Sequence, residues 1–465
     1  MPYKVASLFA PFRNLLGGKR GDIGDSKIDS SKYHESDIIT RDVCIVGGGA
    51  AGTFAAIRLQ QHDKSFVVIE KEARLGGQTM TYMDPRSGMP VEYGVTFFPD
   101  LPVVREYFTL LGLPIIPSHW TLRMEYFDFR TGEPIRMAAT PDDREAALKA
   151  YRAKLEEYPY LQAGLYLPHP VPEDLLLPFG DFIEKYNLRA LLPLFGGMNF
   201  LGDWLRQPAL YAMKFWNIDF VDGFSQTGFL KPGTSGNSAI YAAAQGKLGA
   251  NVLLSSHVVR MDRTSDRDYV YVEVRTGVDE RIQLIRAKKV IFTIPPLPAA
   301  FKDFDPSEDE KKVFSRFQHT YCYTAVVKTK GLPTDMCYLN RGVGFQHPRL
   351  PCVLTIRPSL VEDLRTLHIG SNTPLSEEDV RREIVSSFRG CQLADPEIMV
   401  LGNHSPYQLT VPVEAIADGF YRSLNALQGS RRSYYVGAAF ESHNSRPIWT
   451  LVDQLLQNDI LPSLK

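Results

Sequence analysis

Three glycines and one glutamate have the spacing that a phosphate and a ribose require. Gly47, Gly49 and Gly52 in "GGGAAG" fit the pattern GxGxxG, and Glu70 lies 18 positions after Gly52. The first glycine permits a tight turn, the second lets backbone approach a pyrophosphate, and the third lets a helix pack closely on a strand. A carboxylate at Glu70 can bind ribose hydroxyls. The spacing predicts a dinucleotide site.

These residues must be positioned by a β–α–β unit. "DVCIVG" is a β-branched apolar run typical of a buried parallel strand, "AAGTFAAIRLQQH" has helical spacing of apolar residues, and "SFVVIE" is a second strand that ends in Glu70. The N-terminus of the helix favours phosphate charge. A glycine-rich turn without a ligand is the alternative, and the agreement of strand, helix and acid favours the dinucleotide.

A second glycine pair follows the acid. "EKEARLGGQTMTY" places Arg74, Gly76, Gly77 and Gln78 where another loop can close over the same pyrophosphate. It resembles the ExxxRxGGR-type segment of the flavin-containing amine oxidase superfamily, and this resemblance implies FAD as the cofactor. The family usually has Arg at the position of Gln78, whose neutral amide can still donate a hydrogen bond to a phosphate.

Three more segments extend the resemblance: "VEYGVTFFP", "GANVLLSSHVVRMDR" and "RRSYYVGAAFESHNSRPIWTLVDQLL". In the family, the first of these segments runs beside the flavin ring, and the second contacts the adenine through backbone groups. The third closes over the pyrophosphate and continues into a last helix whose N-terminus faces the flavin. The family often has an acid just after the closing glycine, where this chain has alanines. The resemblance implies cofactor contacts at Gly47, Gly49, Ala51, Gly52, Glu70, Lys71, Gly76, Gly77, Gln78, Gly94, Val95, Thr96, Val258, Gly437 and Ile448.

The predicted fold class is α/β, with a Rossmann-type FAD-binding domain and a discontinuous, mixed α+β substrate domain. The 465 residues exceed what one core usually supports. The predicted division is an N-terminal arm (1–40), an FAD-binding domain (41–100, 230–300 and 425–465) and a substrate-binding domain (101–229 and 301–424). Within the superfamily the chain resembles the β-cyclopiazonate dehydrogenase-like FAD oxidoreductases, and more loosely the bacterial polyunsaturated fatty acid isomerase.

Composition limits the partners. A formal net charge of −1 provides no electrostatic field that would attract nucleic acid. The sequence has no run of 18 apolar residues, so no transmembrane segment is predicted. Five scattered cysteines favour a reducing compartment over a disulfide framework. The short N-terminal apolar patch is interrupted by Pro11 and Arg13, which disfavours a signal peptide. A cytoplasmic protein is predicted, and the oligomeric state is left open.

The middle of the chain is rich in aromatic residues, and two interpretations compete: rings that line a substrate vestibule, or an ordinary helical core. Helical spacing favours the core for most of them. "LSEEDVRREIVSSFRG" is predicted to be a capped surface helix. The aromatic residues concerned are Trp204, Tyr211, Phe215, Trp216, Phe220 and Phe224.

The resemblance also bears on chemistry. The lysine that flavin amine oxidases hold against the flavin would fall near Cys322 or Tyr323, and Lys328 lies too late, so that lysine is predicted to be absent. The region that matches covalent flavin attachment, "NHSPYQLTVP", contains no cysteine, so FAD is predicted to be non-covalent. His443 is a catalytic candidate, with a surface or hydrogen-bonded histidine as the alternative. No metal is expected.

Two catalytic functions follow. In the first, an FAD-dependent oxidoreductase removes a hydride from a hydrophobic small molecule of specialised metabolism. An amine- or indole-containing substrate and oxidative cyclisation are options, and dioxygen is the expected electron acceptor. In the second, an FAD-dependent isomerase moves a double bond without net oxidation. A flavin-binding module without catalysis is disfavoured by the elaborate middle region.

Overall fold

The computed structural model describes residues 27–118, 123–136, 139–196, 202–266, 268–277 and 281–464. The N-terminal apolar patch considered above lies outside these residues. The strands, in chain order, are β1 (Ile38–Val46), β2 (Phe66–Ile69), β3 (Thr81–Met83), β4 (Pro90–Glu92), β5 (Phe98–Pro99), β6 (Ile115–Ser118), β7 (Arg123–Asp128), β8 (Glu133–Pro134), β9 (Phe229–Pro232), β10 (Val252–Leu253), β11 (His257–Asp262), β12 (Val270–Thr276), β13 (Arg281–Phe292), β14 (Gln318–Lys328), β15 (Met336–Asn340), β16 (Cys352–Pro358), β17 (Leu364–Ser371), β18 (Glu397–Asn403), β19 (Tyr407–Thr410) and β20 (Ser433–Tyr435).

The helices alternate with these strands, and the longest stretch of successive helices lies between β8 and β9. In chain order they are α1 (Ala50–Gln61), α2 (Pro102–Leu110), α3 (Pro141–Glu156), α4 (Glu173–Leu176), α5 (Phe179–Lys185), α6 (Leu192–Gly196), α7 (Ala209–Phe215), α8 (Ile218–Asp222), α9 (Ser238–Leu248), α10 (Pro298–Phe301), α11 (Glu308–Phe314), α12 (Glu377–Gly390), α13 (Val413–Ala417), α14 (Phe420–Asn425) and α15 (Ser445–Leu455). None of the helices described is long and apolar enough to cross a membrane.

A mostly parallel sheet carries the glycine turns. Its order is β10-β2-β1-β13-β12-β11, and β20 pairs with the far end of β13. β1 pairs in parallel with β2 on one side and β13 on the other, and residues 43–46 are buried because helices cover the sheet. The last helix, α15, packs on α1. Its Trp449 ring stacks between Phe54 and Phe98, with centroids 5.6 and 5.5 Å away.

A second sheet forms the core of the predicted substrate region, in the order β18-β14-β17-β16-β15-β7-β8. One face is apolar and packs against α12, through residues such as Val380, Ile384 and Phe388. Ser376 and Asp379 form a capping box that begins this helix, as the sequence predicted. The opposite face receives the β3–β4 hairpin, whose Val91 and Tyr93 pack against Val326.

Two predicted boundaries differ from the structure. The first strand begins at Ile38, and Ile28 is buried with its N–H donating to Asp262 Oδ2 at 3.0 Å, so residues 27–40 pack on the nucleotide-binding sheet rather than forming an arm. The predicted boundary at residue 100 separates β5 from β6, yet both pair with β9 in a three-stranded sheet. Long-range strand pairing of this kind leaves no local pattern in the sequence.

The central aromatic residues are mainly core, as the helical spacing favoured. Trp204, Phe215, Trp216 and Phe220 are buried, and Trp216 packs edge-to-face on Phe220 with centroids 5.1 Å apart. Tyr211 and Phe215 also line a small cavity beside the loop that follows Gly437. This cavity has room for about one water molecule, so it does not favour a substrate vestibule at these two positions.

Candidate functional site

The first glycine turn connects β1 to α1. Gly47 has φ +105°, a conformation that favours glycine, and a Cβ at Gly52 would lie 1.9 Å from Gly47 O, so the helix can approach the turn only with glycine at that position. Gly49 caps α1 without a side-chain hydrogen bond. The first backbone N–H groups of α1, including that of Ala51, therefore remain available to an anion.

The carboxylate of Glu70 lies directly beside this turn. It is buried and accepts hydrogen bonds from Gly48 N at 2.6 Å and Glu72 N at 2.9 Å. Each of its oxygens retains a second lone pair for a ribose hydroxyl. Its neighbour Lys71 is exposed, with Nζ 3.8 Å from the Glu72 carboxylate.

The predicted adenine segment is attached to the same carboxylate-bearing loop. Ser256 N donates to Glu70 O at 2.9 Å, and Glu70 N donates to Leu253 O at 2.9 Å. Val258 follows in β11, where it pairs with Val274 just before a bulge. Its backbone thus lies on the strand that continues from the Glu70 contact.

The second glycine turn faces the first. A Cβ at Gly49 would meet Gly77 Cα at 3.9 Å and nothing nearer, and one at Gly77 would lie 3.2 Å from Gly49 Cα. Gly76 N donates to Gly48 O at 2.9 Å, which ties the turns together. Arg74 fixes the second turn by donating to Gly77 O and Thr79 O, each at 3.1 Å. Two backbones without side chains thus face one another at the start of α1.

Gln78 is directed toward the other sheet. Its Nε2 donates to His404 O at 2.8 Å. Gly94 packs on the same loop, because a Cβ there would lie 2.1 Å from Gln78 O. The partly buried Val95 and Thr96 follow, and Val95 O accepts a hydrogen bond from Asn237 Nδ2 at 2.7 Å.

Glu92 is a partly buried acid that the sequence analysis did not single out. Its Oε1 accepts from Asn237 N at 2.7 Å and its Oε2 from Thr81 Oγ1 at 2.8 Å. Burial raises the pKa of Glu92 to about 7, against the opposing effect of these hydrogen bonds. A hydrogen-bonded carboxyl that holds a proton near neutrality therefore braces the segment that precedes Gly94.

The closing loop begins at Gly437, whose φ of +136° favours glycine. Val436 N donates to Phe292 O at 3.0 Å, which brings the loop to the end of β13. At the start of α15, Ile448 is buried and Trp449 Nε1 donates to Ala50 O at 3.2 Å. The loop and the last helix therefore meet the first glycine turn directly.

His443 lies within this loop, where its ring forms a hydrogen bond and an aromatic contact. Its Nε2 accepts a hydrogen bond from Gln408 N at 2.9 Å, and its ring stacks on Tyr407 with centroids 3.9 Å apart. Burial, and then the nearby His404, lower the pKa of His443 to about 3. The ring is neutral and its acceptor nitrogen is occupied, which agrees with the hydrogen-bonded alternative.

A buried ion pair, Lys214 with Glu441, joins the closing loop to α7. Lys214 Nζ also donates to Leu161 O at 2.7 Å and to Gly164 O at 3.0 Å, and Gly164 N donates to Glu441. Burial lowers the pKa of Lys214 and raises that of Glu441, each opposed by the attraction of its partner. The sequence offered one signal, a lysine within the apolar run "ALYAMKF".

The geometry up to this point is that of a dinucleotide-binding enzyme fold, and comparison with known proteins agrees. Residues 45–111 match the family described as NAD(P)-binding Rossmann-like domain. The chain is 35% identical to the FAD-dependent oxidoreductase oblC of Cochliobolus heterostrophus, over 94% of each protein. It is 31% identical to beta-cyclopiazonate dehydrogenase of Aspergillus oryzae, over 90% of this chain and 93% of that protein.

Solved structures share the fold at low identity. The CLA-producing fatty acid isomerase from P. acnes has a TM-score of 0.76 and 20% identity, covering 90% of this chain and 98% of that one. Putrescine oxidase has a TM-score of 0.65 and 18% identity, covering 91% and 100%. On the strength of the close relatives, the chain belongs to the family of FAD-dependent oxidoreductases. This confirms the predicted FAD cofactor, the enzyme class and the predicted similarity to β-cyclopiazonate dehydrogenase.

Proposed function

We propose that this protein binds FAD non-covalently between its two glycine turns and removes a hydride from a hydrophobic small molecule of specialised metabolism. The observation that carries the proposal is the pair Gly49 and Gly77, whose bare backbones face each other at the start of α1 beside the buried Glu70. Such a cleft suits a pyrophosphate held by helix N–H groups, with the acid on a ribose.

Different residues would contact different parts of the cofactor. The glycine turns and Gly437 would hold the pyrophosphate, and Glu70 would hold the ribose. The backbone at Val258 would contact the adenine, and Gly94 to Thr96 with the start of α15 would border the flavin ring. When bound, FAD supplies a two-electron acceptor for a hydride. Lys71 is exposed beside the ribose acid, and Gln78 links this site to the second sheet through His404.

The protonation state of two cysteines supports non-covalent binding. Burial raises the pKa of the Cys322 thiol to about 12 and that of Cys391 to about 11. Both groups are therefore thiols rather than reactive thiolates at neutral pH. The segment that corresponds to covalent attachment, residues 403–412, contains no cysteine.

The substrate is positioned by packing and hydrogen bonds more than by acid–base groups. His443 accepts a hydrogen bond and stays neutral, Tyr407 supplies an aromatic face, and the Lys214–Glu441 pair holds the closing loop. Apolar walls exclude water from a hydride transfer. Lys328 lies at the end of β14 with Nζ 4.0 Å from Glu397, which disfavours a lysine at the flavin.

Cofactor binding is tested with Gly49→Ala. The added methyl meets no atom nearer than 3.9 Å, so the protein should fold normally, but the methyl enters the cleft between the turns. We expect bound flavin, measured by visible absorption after gel filtration, to fall at least tenfold. Gly246→Ala in α9, whose Cβ also meets open space, is the matched control. Equal flavin content in both variants would contradict the proposed cleft.

The reaction type is tested by anaerobic mixing of holoprotein with candidate substrates. An oxidoreductase leaves the flavin bleached until an acceptor such as dioxygen is admitted. Product without lasting bleaching would instead support the alternative, an isomerase. If a candidate substrate binds but neither flavin bleaching nor product is observed, the result would favour a flavin-binding module without catalysis.

A further inference from the structure

One helix, α9, contacts two separate parts of the proposed cofactor site. A Cβ at Gly76 would lie 3.1 Å from the Tyr241 ring, which places the helix against the second glycine turn. Asn237, at the N-cap of the same helix, donates its Nδ2 to Val95 O at 2.7 Å. Residues four positions apart lie on the same face of a helix, so one face of α9 reaches both the turn and the segment around Val95.

The segment Gly94, Val95 and Thr96 carries backbone donors without partners. Among the described residues, the N–H groups of these three have no acceptor, although all three are partly buried. Backbone donors that are removed from water are nearly always paired. The segment also starts against the second glycine turn, because a Cβ at Gly94 would lie 2.1 Å from Gln78 O. Unpaired donors at this place suit a ligand that carries hydrogen-bond acceptors.

The hydrogen bond from Asn237 fixes the plane of the peptide that joins Val95 to Thr96. This peptide is trans, and in a trans peptide the C=O and the following N–H point in opposite directions. Because Val95 O points toward Asn237, the Thr96 N–H points away from α9. The direction of this donor therefore depends on the Asn237 side chain.

Asn237 is itself held in place by Glu92. The Oε1 atom of Glu92 accepts from Asn237 N at 2.7 Å, and its Oε2 accepts from Thr81 Oγ1 at 2.8 Å. Thr81 Oγ1 accepts in turn from Ser238 N at 3.1 Å, so the hairpin of β3 and β4 pairs two N–H groups at the start of α9. A Cβ at Gly236 would lie 2.9 Å from Glu92 Oε1, so this close approach depends on glycine.

A donor with a fixed direction has a specific use beside a flavin ring. Reduction adds negative charge to the ring, so an N–H that donates to the ring binds the reduced form more strongly than the oxidised form. Such a donor raises the midpoint potential of the bound flavin and favours the removal of a hydride from the substrate.

We propose that Asn237, held by Glu92, is a positioning residue that directs the Thr96 N–H toward the flavin ring and thereby raises its midpoint potential. The proposal rests on the proposed function, because that function assigns the ring to residues 94–96. Asn237 and Glu92 act through the peptide between Val95 and Thr96, so neither is a catalytic residue.

Asn237→Leu, compared with Asn340→Leu, tests this role. Asn340 is almost as buried, and its Nδ2 also donates to a backbone carbonyl at 2.7 Å, that of Val353 in the second sheet. The midpoint potential of the holoprotein is measured by anaerobic reduction in the presence of a redox dye. We expect Asn237→Leu to weaken binding of reduced relative to oxidised flavin about tenfold, which lowers the potential by about 30 mV for a two-electron couple. Asn340→Leu should lose similar thermal stability and keep the wild-type potential.

Variants of Glu92 separate positioning from packing. At pH 6 the carboxyl is protonated, because burial raises the pKa of Glu92 to about 7. Glu92→Gln then retains an acceptor for Asn237 N and a donor for Thr81 Oγ1, so its potential should match that of the wild type. Glu92→Leu loses both groups and should show the lowered potential of Asn237→Leu. A wild-type potential in both leucine variants, or an equal shift in Asn340→Leu, would overturn the proposal.

A milder variant covers the case in which Asn237→Leu does not fold. Asn237→Ser has a polar side chain that is one bond shorter, and the same lowered potential is expected of it. A wild-type protein that cannot be loaded with FAD refutes the proposed function, and this inference with it. A wild type that binds FAD, with an unchanged potential in the Asn237 variants, refutes the positioning role alone.

Discussion

Two buried arginines, one in each sheet region, have opposite surroundings. Arg263, which follows β11, places Nη1 and Nη2 each 2.7 Å from the Glu310 carboxylate, and it also contacts Ser433 and Tyr435. The guanidinium of Arg341 donates to the carbonyl of its neighbour Asn340, and among the described residues its Nε and Nη2 have no acceptor. The pKa of Arg263 is raised by Glu310 despite burial, whereas burial dominates and lowers that of Arg341.

The difference separates a buried charge with a carboxylate partner from one with a single carbonyl acceptor. Arg263 joins three segments that are far apart in sequence, and its counter-charge comes from the chain itself. Arg341 has the same side chain and the same burial without that counter-charge. Burial alone therefore does not assign a role to a charged residue, and the presence of an internal partner does.

The largest expected effect comes from a third buried charge, Lys214, which is paired like Arg263. Lys214→Met leaves Glu441 buried without its cation and should lower the free energy of unfolding by about 3–5 kcal/mol in urea denaturation. The double variant Lys214→Met/Glu441→Leu should recover part of that loss. Additive effects of the single changes would show that the pair is not coupled.

Arg263→Met should destabilise somewhat less, by about 3 kcal/mol, because Arg431 Nη1 remains 3.5 Å from Glu310. The measurement is again urea denaturation, with the surface variant Arg105→Met as the control, for which less than about 1 kcal/mol is expected. If Arg263→Met lowered the free energy of unfolding no more than Arg105→Met does, Arg263 would not differ from Arg341 in its contribution to stability.

Glu92 tests the converse case, a partly buried carboxyl whose hydrogen-bond donors are neutral. Its folded pKa of about 7 lies above the ordinary 4.5, so the folded state binds the proton more tightly. The contribution of the protonated Glu92 carboxyl to the free energy of unfolding is fully present below pH 4.5 and is lost as the pH rises through 7. Glu92→Gln should therefore stabilise the protein at pH 8 by about 1–3 kcal/mol and change little at pH 4.5.

Thermal unfolding at both pH values checks this expectation, with the exposed Glu133→Gln as the control. A stabilisation of equal size at both values would point to packing rather than to the proton.

The smallest effect is expected for Arg341→Met. Replacing an unpaired buried cation by an apolar side chain of similar length should leave the free energy of unfolding within about 1 kcal/mol of the wild type, or raise it. A loss of 3 kcal/mol in urea denaturation would mean that Arg341 is a structural charge like Arg263.

The sequence predicted the parts of the site that are encoded locally. One short stretch of sequence contains the glycine turns, α1 and Glu70. The spacing of these residues was therefore enough to predict their arrangement in space. Lys214 and Glu441 are separated by more than two hundred positions, and only tertiary packing brings them together. The pairing of β5 and β6 with β9, and the contact of Arg341 with Gly196, likewise depend on long-range arrangement that no local pattern specifies.

The contact of Trp449 with Ala50 has a consequence for how the protein is made. The nucleotide-binding sheet takes its central strand from residues near 40 and its last strand from residues near 435, and α15 then packs over α1. During synthesis the glycine turn leaves the ribosome long before the segment that covers it. A covered nucleotide site therefore requires that the chain has been synthesised to about residue 450, and until then the glycine turn lies on an unfinished sheet.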